Sequence, residues 1–299
     1  MHIPVLLKEV IDGLDFKEED KIFVDLTLGD AGHSLEICRK FPWIKIIGLD
    51  VDKKAALRSQ GVLEGGGCKF EIVNENFRNL DEVLSKLRTK KIDEVLFDLG
   101  FSSDQIESSG RGFSFQKDEP LIMTLRDDWQ GSLTAFEIVN SWPKVRLEQI
   151  LREYSEESWA PRIAEAIVRR RKQKVIRTTR ELVDVIEESL PSGLRQKKIH
   201  PATKTFQALR IAVNDELESL KVGLKSAWDN LRVGGRLAVI SFHSLEDRIV
   251  KNFFRDLKNK QLAHLITKKP ITPSREEIIA NRRSRSAKLR IIEKNFHEI

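Results

Sequence analysis

The sequence predicts an α/β fold, a Rossmann-like doubly wound parallel sheet that is interrupted by an all-helical insertion. Over residues 1–100, short apolar runs alternate with stretches of helical periodicity. After about residue 105 the alternation stops and helical periodicity takes over, and strand-like runs return near residue 236. Strands that alternate with helices form a parallel sheet through right-handed crossovers, so the long helical stretch is best placed as an insertion.

Composition limits the class of protein. The chain has 299 residues, of which 40% are hydrophobic and 33% charged, as expected of a globular chain of about two domains. Its two cysteines, Cys38 and Cys68, provide no disulfide framework, which favours a reducing compartment. The amino terminus lacks the pattern of a secretory signal and the apolar runs are too short to span a membrane, so we expect a cytoplasmic protein.

The first part of the chain predicts four strands and three helices. Each strand is a short apolar run, and these are Ile22–Leu26, Lys45–Asp50, Phe70–Val73 and Ile92–Asp98. Each intervening helix shows apolar residues at three- and four-residue spacing, and these are Ser34–Phe41, Lys53–Leu63 and a helix that carries Leu80, Val83, Leu84 and Leu87. The order strand, helix, strand indicates a parallel sheet.

The middle of the chain predicts helices only. The apolar positions of one helix run from Ala160 to Val168, and Thr178 with Glu181 is typical of a capping box at the start of another. From Phe206 to Leu231 the spacing fits one long helix or two consecutive ones. A strand at 236–241, a helix at 245–257 and a last strand at 289–293 follow. We therefore expect the sheet domain to comprise 1–106 and 205–299, with the insertion at 107–204.

The loop after the first strand has the features of a ligand-binding turn. Glycine at Gly29 and Gly32 allows a tight turn, and the following helix start offers free N–H groups. Asp50 ends the second strand, where a carboxylate can accept both hydroxyls of a ribose. The pattern predicts a nucleoside cofactor but does not choose between NAD and S-adenosylmethionine. The lack of a second glycine-rich turn for a pyrophosphate favours the latter.

Two further positions are candidates for chemistry. Asp98 ends the fourth strand and is followed by Leu99-Gly100-Phe101, an acid and a nearby aromatic that suit methylation of an exocyclic amine, although Phe101 could equally be a core residue. His243 lies between the fifth strand and a helix and is a weaker candidate for a general base or a substrate contact. The histidines and cysteines show no metal-ligand spacing, so we expect no metal.

Charge is distributed unevenly along the chain. Residues 1–104 hold 15 Lys and Arg against 20 Asp and Glu, whereas residues 105–299 hold 37 against 26. The run Arg169–Lys172 follows an amphipathic helix, and a second basic stretch covers Arg282–Arg290. We expect the four cations of the first run to be free for phosphate, and the second part of the chain to bind a polyanion.

Several segments resemble the bacterial small-subunit ribosomal RNA cytosine-N4 methyltransferases, also called the MraW family. The matching segments run nearly from end to end and are His2–Val10, Gly29–Ser34, Phe97–Gly100 with Ser102, Ser103 and Gln105, Arg111–Phe115, His200–Ile211, Val239–Val250 and Arg285–Arg290. The resemblance implies a fold with an S-adenosylmethionine-dependent methyltransferase sheet and an inserted helical domain. It also implies methylation of N4 of a decoding-centre cytosine in 16S ribosomal RNA, with naked RNA or the assembled 30S subunit as the partner.

The resemblance carries over a set of cofactor contacts, which are Ala31, Gly32, His33, Asp50, Phe77, Asp98 and Gln105. It also shows departures. Ala31 stands where the family usually has glycine, and Ile122–Arg126 replaces a segment that usually carries two carboxylates and an arginine. The second departure leaves an alternative open, a non-catalytic RNA-binding or ribosome-assembly factor that keeps the methyltransferase fold.

Overall fold

The computed structural model describes residues 4–19, 21–100, 109–127, 129–191 and 200–295, and these form a seven-stranded sheet and a separate group of helices. The strands lie in the order β3-β2-β1-β4-β5-β7-β6. They are β1 (Ile22–Asp25), β2 (Lys45–Asp50), β3 (Lys69–Asn74), β4 (Ile92–Asp98), β5 (Leu231–Ser241), β6 (Ala263–Leu265) and β7 (Lys288–Lys294). Strands β1 to β5 are parallel, and β7 is antiparallel to both of its neighbours.

The central strands are apolar because both of their faces are covered. In β4 every residue before Asp98 is buried. Val95 and Phe97 belong to one apolar cluster, whereas Leu96 belongs to the cluster on the opposite face. Side chains of a strand alternate between faces, so a strand buried on both sides reads as a continuous apolar run. The predicted α/β fold is confirmed.

Helices cover the sheet, and three of them begin at a residue whose side chain caps the helix. They are α1 (Leu7–Leu14), α2 (Gly32–Lys40), α3 (Lys53–Gly65), α4 (Leu80–Lys86), α10 (Glu216–Asn230), α11 (Ser244–Asn259) and α12 (Arg275–Ala280). Asp52 caps α3 by accepting from the N–H groups of Lys54 and Ala55. Such a cap satisfies donors that have no partner inside the helix.

The helical unit has its own apolar core. Its described helices are α5 (Ala135–Ser141), α6 (Lys144–Ser155), α7 (Ala160–Gln173), α8 (Thr179–Ser189) and α9 (Ala202–Asn214). Thr178 caps α8 by accepting from the N–H of Glu181. The Glu181 carboxylate accepts from the N–H of Arg177, one residue before the N-cap, so only one half of the predicted capping box forms. Packing divides the chain into Met1–Phe101 with Leu217–Ile299, and Ser102–Glu216. The second division falls later than the sequence suggested because Phe206 and Leu209 of α9 pack in the core of the helical unit.

The structure resolves one open question and corrects three expectations. The stretch before β5 is two helices, because Asp215 adopts a left-handed conformation with φ of 50° between α9 and α10. Leu231 begins β5 and does not end a helix. Strand β6 and helix α12 were not predicted, since each is short.

The cysteines are the third correction. Cys38 and Cys68 form a disulfide, contrary to the expectation of unpaired thiols in a reducing compartment. Cys38 lies on α2 and Cys68 directly precedes β3, and folding brings their Cα atoms to 5.8 Å. A sequence separation of 30 residues hides this proximity. Within the described residues, no helix combines the length and apolar character needed to cross a bilayer.

Candidate active site

The site lies where the strand order reverses. β1 has β2 on one side and β4 on the other. The connection from β1 to β2 runs to one side of β1, whereas the connection from β3 to β4 crosses to its other side. In an open α/β sheet this geometry opens a crevice at the carboxyl ends of the strands. Asp50 and Asp98 end the two flanking strands, β2 and β4. The two acids singled out in the sequence therefore flank the predicted ligand crevice.

Asp50 fastens the loop that follows β1. Its Oδ2 accepts from the N–H of Gly29 at 2.8 Å, and its Oδ1 accepts from the N–H of Asp52 at 2.8 Å. Gly29 has φ of +53°, a conformation that glycine adopts without strain. Burial raises the pKa of Asp50 to about 6. Each oxygen of a carboxylate has two lone pairs, so each can still accept one more hydrogen bond.

Ala31 and Gly32 shape the start of α2. Ala31 is fully buried with φ of 58°, a left-handed conformation that favours glycine. A Cβ atom at Gly32 would lie 2.7 Å from Cγ of Pro4, so only glycine allows the N-terminal segment to approach. The first N–H groups of α2 have no partners within the helix and suit an anionic or polar ligand.

Asp98 differs from Asp50 in how its carboxyl group is satisfied. Its backbone N–H donates to Oγ1 of Thr27 at 2.6 Å, which ties β4 to the loop after β1. Its Oδ1 is buried and has no hydrogen-bond partner among the residues that the structure describes. Burial raises the pKa of Asp98 to about 7. A buried oxygen without a partner is costly in a folded protein, and it marks a position for a ligand donor.

His33 lies beside Asp98 and is itself buried, with 5% of its surface exposed. Its Nε2 is 2.9 Å from the carbonyl oxygen of Val5, and its Nδ1 is 3.6 Å from Oδ2 of Asp98. Burial lowers the pKa of His33. The adjacent Ser34 donates from Oγ to Oδ2 of the buried Asp25 at 2.7 Å. The ring of His33 is thus held between the N-terminal segment and Asp98.

Phe77 follows β3 in a short 3₁₀ turn, Phe77–Asn79. Its ring packs edge to face on Phe97 of β4, with centroids 5.4 Å apart. A Cβ atom at Gly223 would lie 2.7 Å from Cδ2 of Phe77, so glycine in α10 makes room for the ring. The turn places an aromatic side chain next to a central strand of the sheet. Gln105 and Phe101, the remaining candidates, lie outside the described residues.

His243 has a structural task at the start of α11. Its Nδ1 accepts from the N–H of Glu246 at 3.4 Å, and Oε2 of Glu246 accepts from the N–H groups of His243 and Phe242. This exchange is a capping box with histidine as the N-cap. Nε2 lies 3.2 Å from Oε1 of Glu246 without the alignment of a hydrogen bond. Because the Nδ1 lone pair is in use, His243 is poorly placed to act as a general base.

The basic run Arg169–Lys172 lies at the carboxyl-terminal end of α7 and is only partly available to a polyanion. Arg171 donates to the carbonyl oxygens of Val139 and Trp142 at 2.8 and 2.7 Å, and thereby caps the end of α5. Arg170 pairs with Glu188 at 2.7 Å. The expectation that all four cations are free for phosphate is therefore wrong, because two of them hold helices together. Arg169 and Lys172 are exposed.

Sequence reasoning missed the groups that surround Asp98. Thr27, Asp25 and Ser34 lie in or next to the segments that were singled out, but their side chains meet only through packing. The carbonyl of Val5 has no signature in a sequence at all. The one available signal was the polar content of the buried loop region between β1 and α2.

Comparison with known proteins gives a match along nearly the whole chain. The sequence model of the MraW methylase family matches residues 1–295. The ribosomal RNA small subunit methyltransferase H of Persephonella marina is 46% identical over 97% of this chain and 98% of its own length. The protein of the same name from Carboxydothermus hydrogenoformans is 46% identical over 98% of this chain and 97% of its own.

Solved structures are more distant. An rRNA methylase from Streptococcus thermophilus aligns over 97% of this chain and 94% of its own, with 12% identity and a TM-score of 0.45. This likeness is too remote to assign a function, whereas the family match covers almost every residue.

Proposed function

The chain belongs to the MraW methylase family, and on that premise we propose that it transfers a methyl group from S-adenosylmethionine to N4 of a decoding-centre cytosine in 16S ribosomal RNA. The observation that carries the proposal is the pair of acids at the carboxyl ends of β2 and β4. One of them is fastened to the glycine loop and the other has an oxygen without a partner. The first suits a nucleoside and the second suits an amine.

The residues around Asp50 fit S-adenosylmethionine. Each oxygen of Asp50 already accepts one backbone N–H, and each keeps a lone pair for one ribose hydroxyl. Ala31, Gly32 and His33 would offer the N–H groups at the start of α2, with Phe77 and Gln105 as further contacts by the family resemblance. When bound, S-adenosylmethionine supplies an electrophilic methyl group on a sulfonium sulfur.

Asp98 would act at the reaction centre. An amino group that donates to the free Oδ1 satisfies that oxygen and turns the nitrogen lone pair toward the methyl carbon. Transfer by in-line displacement then depends mainly on the positions of the reacting groups. The target cytosine has to be unpaired or flipped out of a helix to reach such a site. We propose no catalytic role for His243, since its ring caps α11.

The proposed RNA partner accords with the surplus of cations in residues 105–299. Arg169 and Lys172 are the members of the basic run in α7 that remain available to phosphate. The substrate would be either free 16S RNA or the assembled 30S subunit, and the protein would act in the cytoplasm, where ribosomes are.

A non-catalytic RNA-binding factor is the alternative, and the altered segment Ile122–Arg126 favours it. In the structure this segment has a structural part. Met123 is buried with φ of 57°, its N–H donates to the carbonyl of Arg111 at 2.7 Å, and its carbonyl accepts from Nδ2 of Asn214 at 2.8 Å. These contacts stabilise the helical unit.

Mass mapping of methylated cytosines tests the proposed function. Purified protein is incubated with S-adenosylmethionine and either naked 16S RNA or 30S subunits, and the RNA is digested and analysed. We expect one N4-methylated cytosine with at least one of the two substrates. Binding of both cofactor and RNA without methylation would support the alternative.

A further inference from the structure

His33 is buried, and each of its two ring nitrogens faces an oxygen atom. Its Nε2 lies 2.9 Å from the carbonyl oxygen of Val5. A carbonyl oxygen can only accept a hydrogen bond, so Nε2 has to carry a proton. In the neutral ring, Nδ1 then carries the lone pair. That lone pair is on the nitrogen nearest Asp98, 3.6 Å from Oδ2.

A lone pair facing a carboxyl group requires a proton between them. If Asp98 were ionised and His33 neutral, an oxygen anion would face a nitrogen lone pair with no hydrogen to share. The distance of 3.6 Å is too long for a hydrogen bond. Catalytic pairs are often long before the ligand binds and shorten in the complex. A proton on Oδ2 gives the pair a donor and an acceptor.

We propose that His33 is a positioning residue that acts through Asp98, and that the two side chains form a proton relay for methyl transfer. The inference rests on the proposed function and deepens it. The amine is held at Oδ1, the oxygen without a partner, and His33 is held at Oδ2. The carboxyl group can therefore receive a proton on one oxygen while it releases a proton from the other.

Methyl transfer through this relay conserves atoms and charge. The N4 lone pair forms the bond to the methyl carbon as the carbon–sulfur bond breaks, and the electrons of that bond remain on sulfur. The cationic N4 then gives a proton to Oδ1 of Asp98, and the proton on Oδ2 passes to Nδ1 of His33. After the product leaves, Oδ1 of Asp98 releases its proton to water, and the imidazolium returns its proton to Oδ2.

The surroundings of the pair suit this exchange. Burial lowers the pKa of His33, so the resting ring is neutral, whereas the charges of Asp25 on β1 and Glu277 on α12 and the carbonyl of Val5 favour its protonated form. Burial raises the pKa of Asp98 to about 7, and Glu246 at the start of α11 adds to the rise. At pH 7 and below, at least about half of the Asp98 carboxyl groups thus hold the proton that the relay needs.

The relay predicts a pH profile that a structural histidine would not. With His33 present, a protonated Asp98 still accepts through Oδ1 because it can pass a proton on. In His33→Gln the side-chain amide can still donate to Val5 but cannot take up a proton. Asp98 then has to be ionised before it can accept. Since its pKa is about 7, the variant should lose about tenfold in rate for each pH unit below 7.

Single-turnover methyl transfer is measured from pH 5.5 to 8.5 with saturating S-adenosylmethionine and the RNA substrate that the wild type methylates. We expect similar rates at pH 6 and pH 8 for the wild type, and a rate at least about tenfold lower at pH 6 than at pH 8 for His33→Gln. His264→Gln is the matched control, because His264 is exposed on β6. Calorimetry should give an unchanged S-adenosylmethionine affinity for His264→Gln.

A uniform loss of rate across the pH range would overturn the relay, even with the proposed function intact. No methylation by the wild type would overturn both. A second readout needs no turnover and no variant: ¹⁵N NMR of the unliganded protein at pH 7.5. We expect His33 as the neutral Nε2–H tautomer. The Nδ1–H tautomer would by itself contradict the relay.

Discussion

The carboxyl ends of β2 and β4 both carry an aspartate, but the two carboxyl groups differ in their hydrogen bonds. Asp50 accepts two backbone N–H groups, and one of these fixes the glycine loop. Asp98 has one oxygen without a partner among the described residues and another that faces His33. Both carboxyl groups have raised pKa values, about 6 and about 7, because both are buried. The difference indicates that Asp50 shapes the binding loop, whereas Asp98 is kept for a ligand.

The same contrast separates two neighbouring cations in the helical unit. Arg171 is bonded to two carbonyl groups at the end of α5, whereas Lys172 is exposed. A buried group that forms hydrogen bonds contributes to stability, and a buried group without them costs stability. An exposed cation is solvated and is available for function. Substitutions at these four positions test whether the groups differ in this way.

The largest expected effect on stability is at Asp98. Its pKa in the folded protein is about 7 against 3.8 for the ordinary value, so the folded state keeps a proton that the unfolded state has lost. Stability therefore falls as pH rises from about 4 to 7. Asp98→Asn lacks this titration. Its free energy of unfolding should therefore rise relative to that of the wild type by on the order of 2 kcal/mol from pH 5 to pH 8.

Urea unfolding at the two pH values measures this gain. The exposed Asp256→Asn on α11 serves as the control and should keep the pH dependence of the wild type. If the free energies of unfolding of the wild type and Asp98→Asn change equally between the two pH values, Asp98 is not held protonated.

Asp50→Ala tests the other acid. It removes the two acceptors proposed for the ribose, each worth about 1.5–3 kcal/mol if fully made, so S-adenosylmethionine affinity should fall by at least about tenfold. It also removes the bond to Gly29, so part of the loss comes from the loop. Isothermal calorimetry on the folded variant gives the affinity, and an unchanged value would remove Asp50 from the cofactor site.

Arg171→Ala and Lys172→Ala form a matched pair. The first leaves two carbonyl groups of the helical unit without their charged donor and should lower the free energy of unfolding by about 2 kcal/mol. The second should change stability by less than about 0.5 kcal/mol. It should instead flatten the slope of log RNA affinity against log salt by about 0.7, the contribution of one phosphate contact. Equal stability losses would show that both cations are structural.

Ala31→Gly should have the smallest effect. Glycine relieves the left-handed conformation of Ala31 but increases the freedom of the unfolded chain and removes a buried methyl group. These contributions nearly cancel, so the free energy of unfolding should stay within about 1 kcal/mol of the wild type. A larger loss in urea unfolding would mean that the buried methyl group matters more than the strain.

Much of the fold could be predicted because it is encoded locally. β2 and β4 coincide with their predicted runs, since a strand covered on both faces is continuously apolar. Strand β6 has only three residues and carries no such pattern. The Cys38–Cys68 disulfide depends on how α2 and β3 pack, which no local pattern encodes.

The positions of the acids were predictable, but their states were not. A strand that ends in aspartate is visible in the sequence. Whether its oxygens find partners depends on residues far along the chain, such as Gly29 for Asp50 and His33 for Asp98. His243 shows a different limit, because its capping partner Glu246 is close in sequence but histidine is an unusual N-cap.

We assign Asp98 to the reaction centre and Asp50 to cofactor binding. The sharpest test of this assignment measures the single-turnover rate and the cofactor affinity of both Asp98→Asn and Asp50→Asn. Asp98→Asn should lower the rate at saturating cofactor by about 100-fold or more and leave the affinity within about threefold. Asp50→Asn should chiefly weaken the affinity. A wild-type rate in Asp98→Asn would contradict the claim.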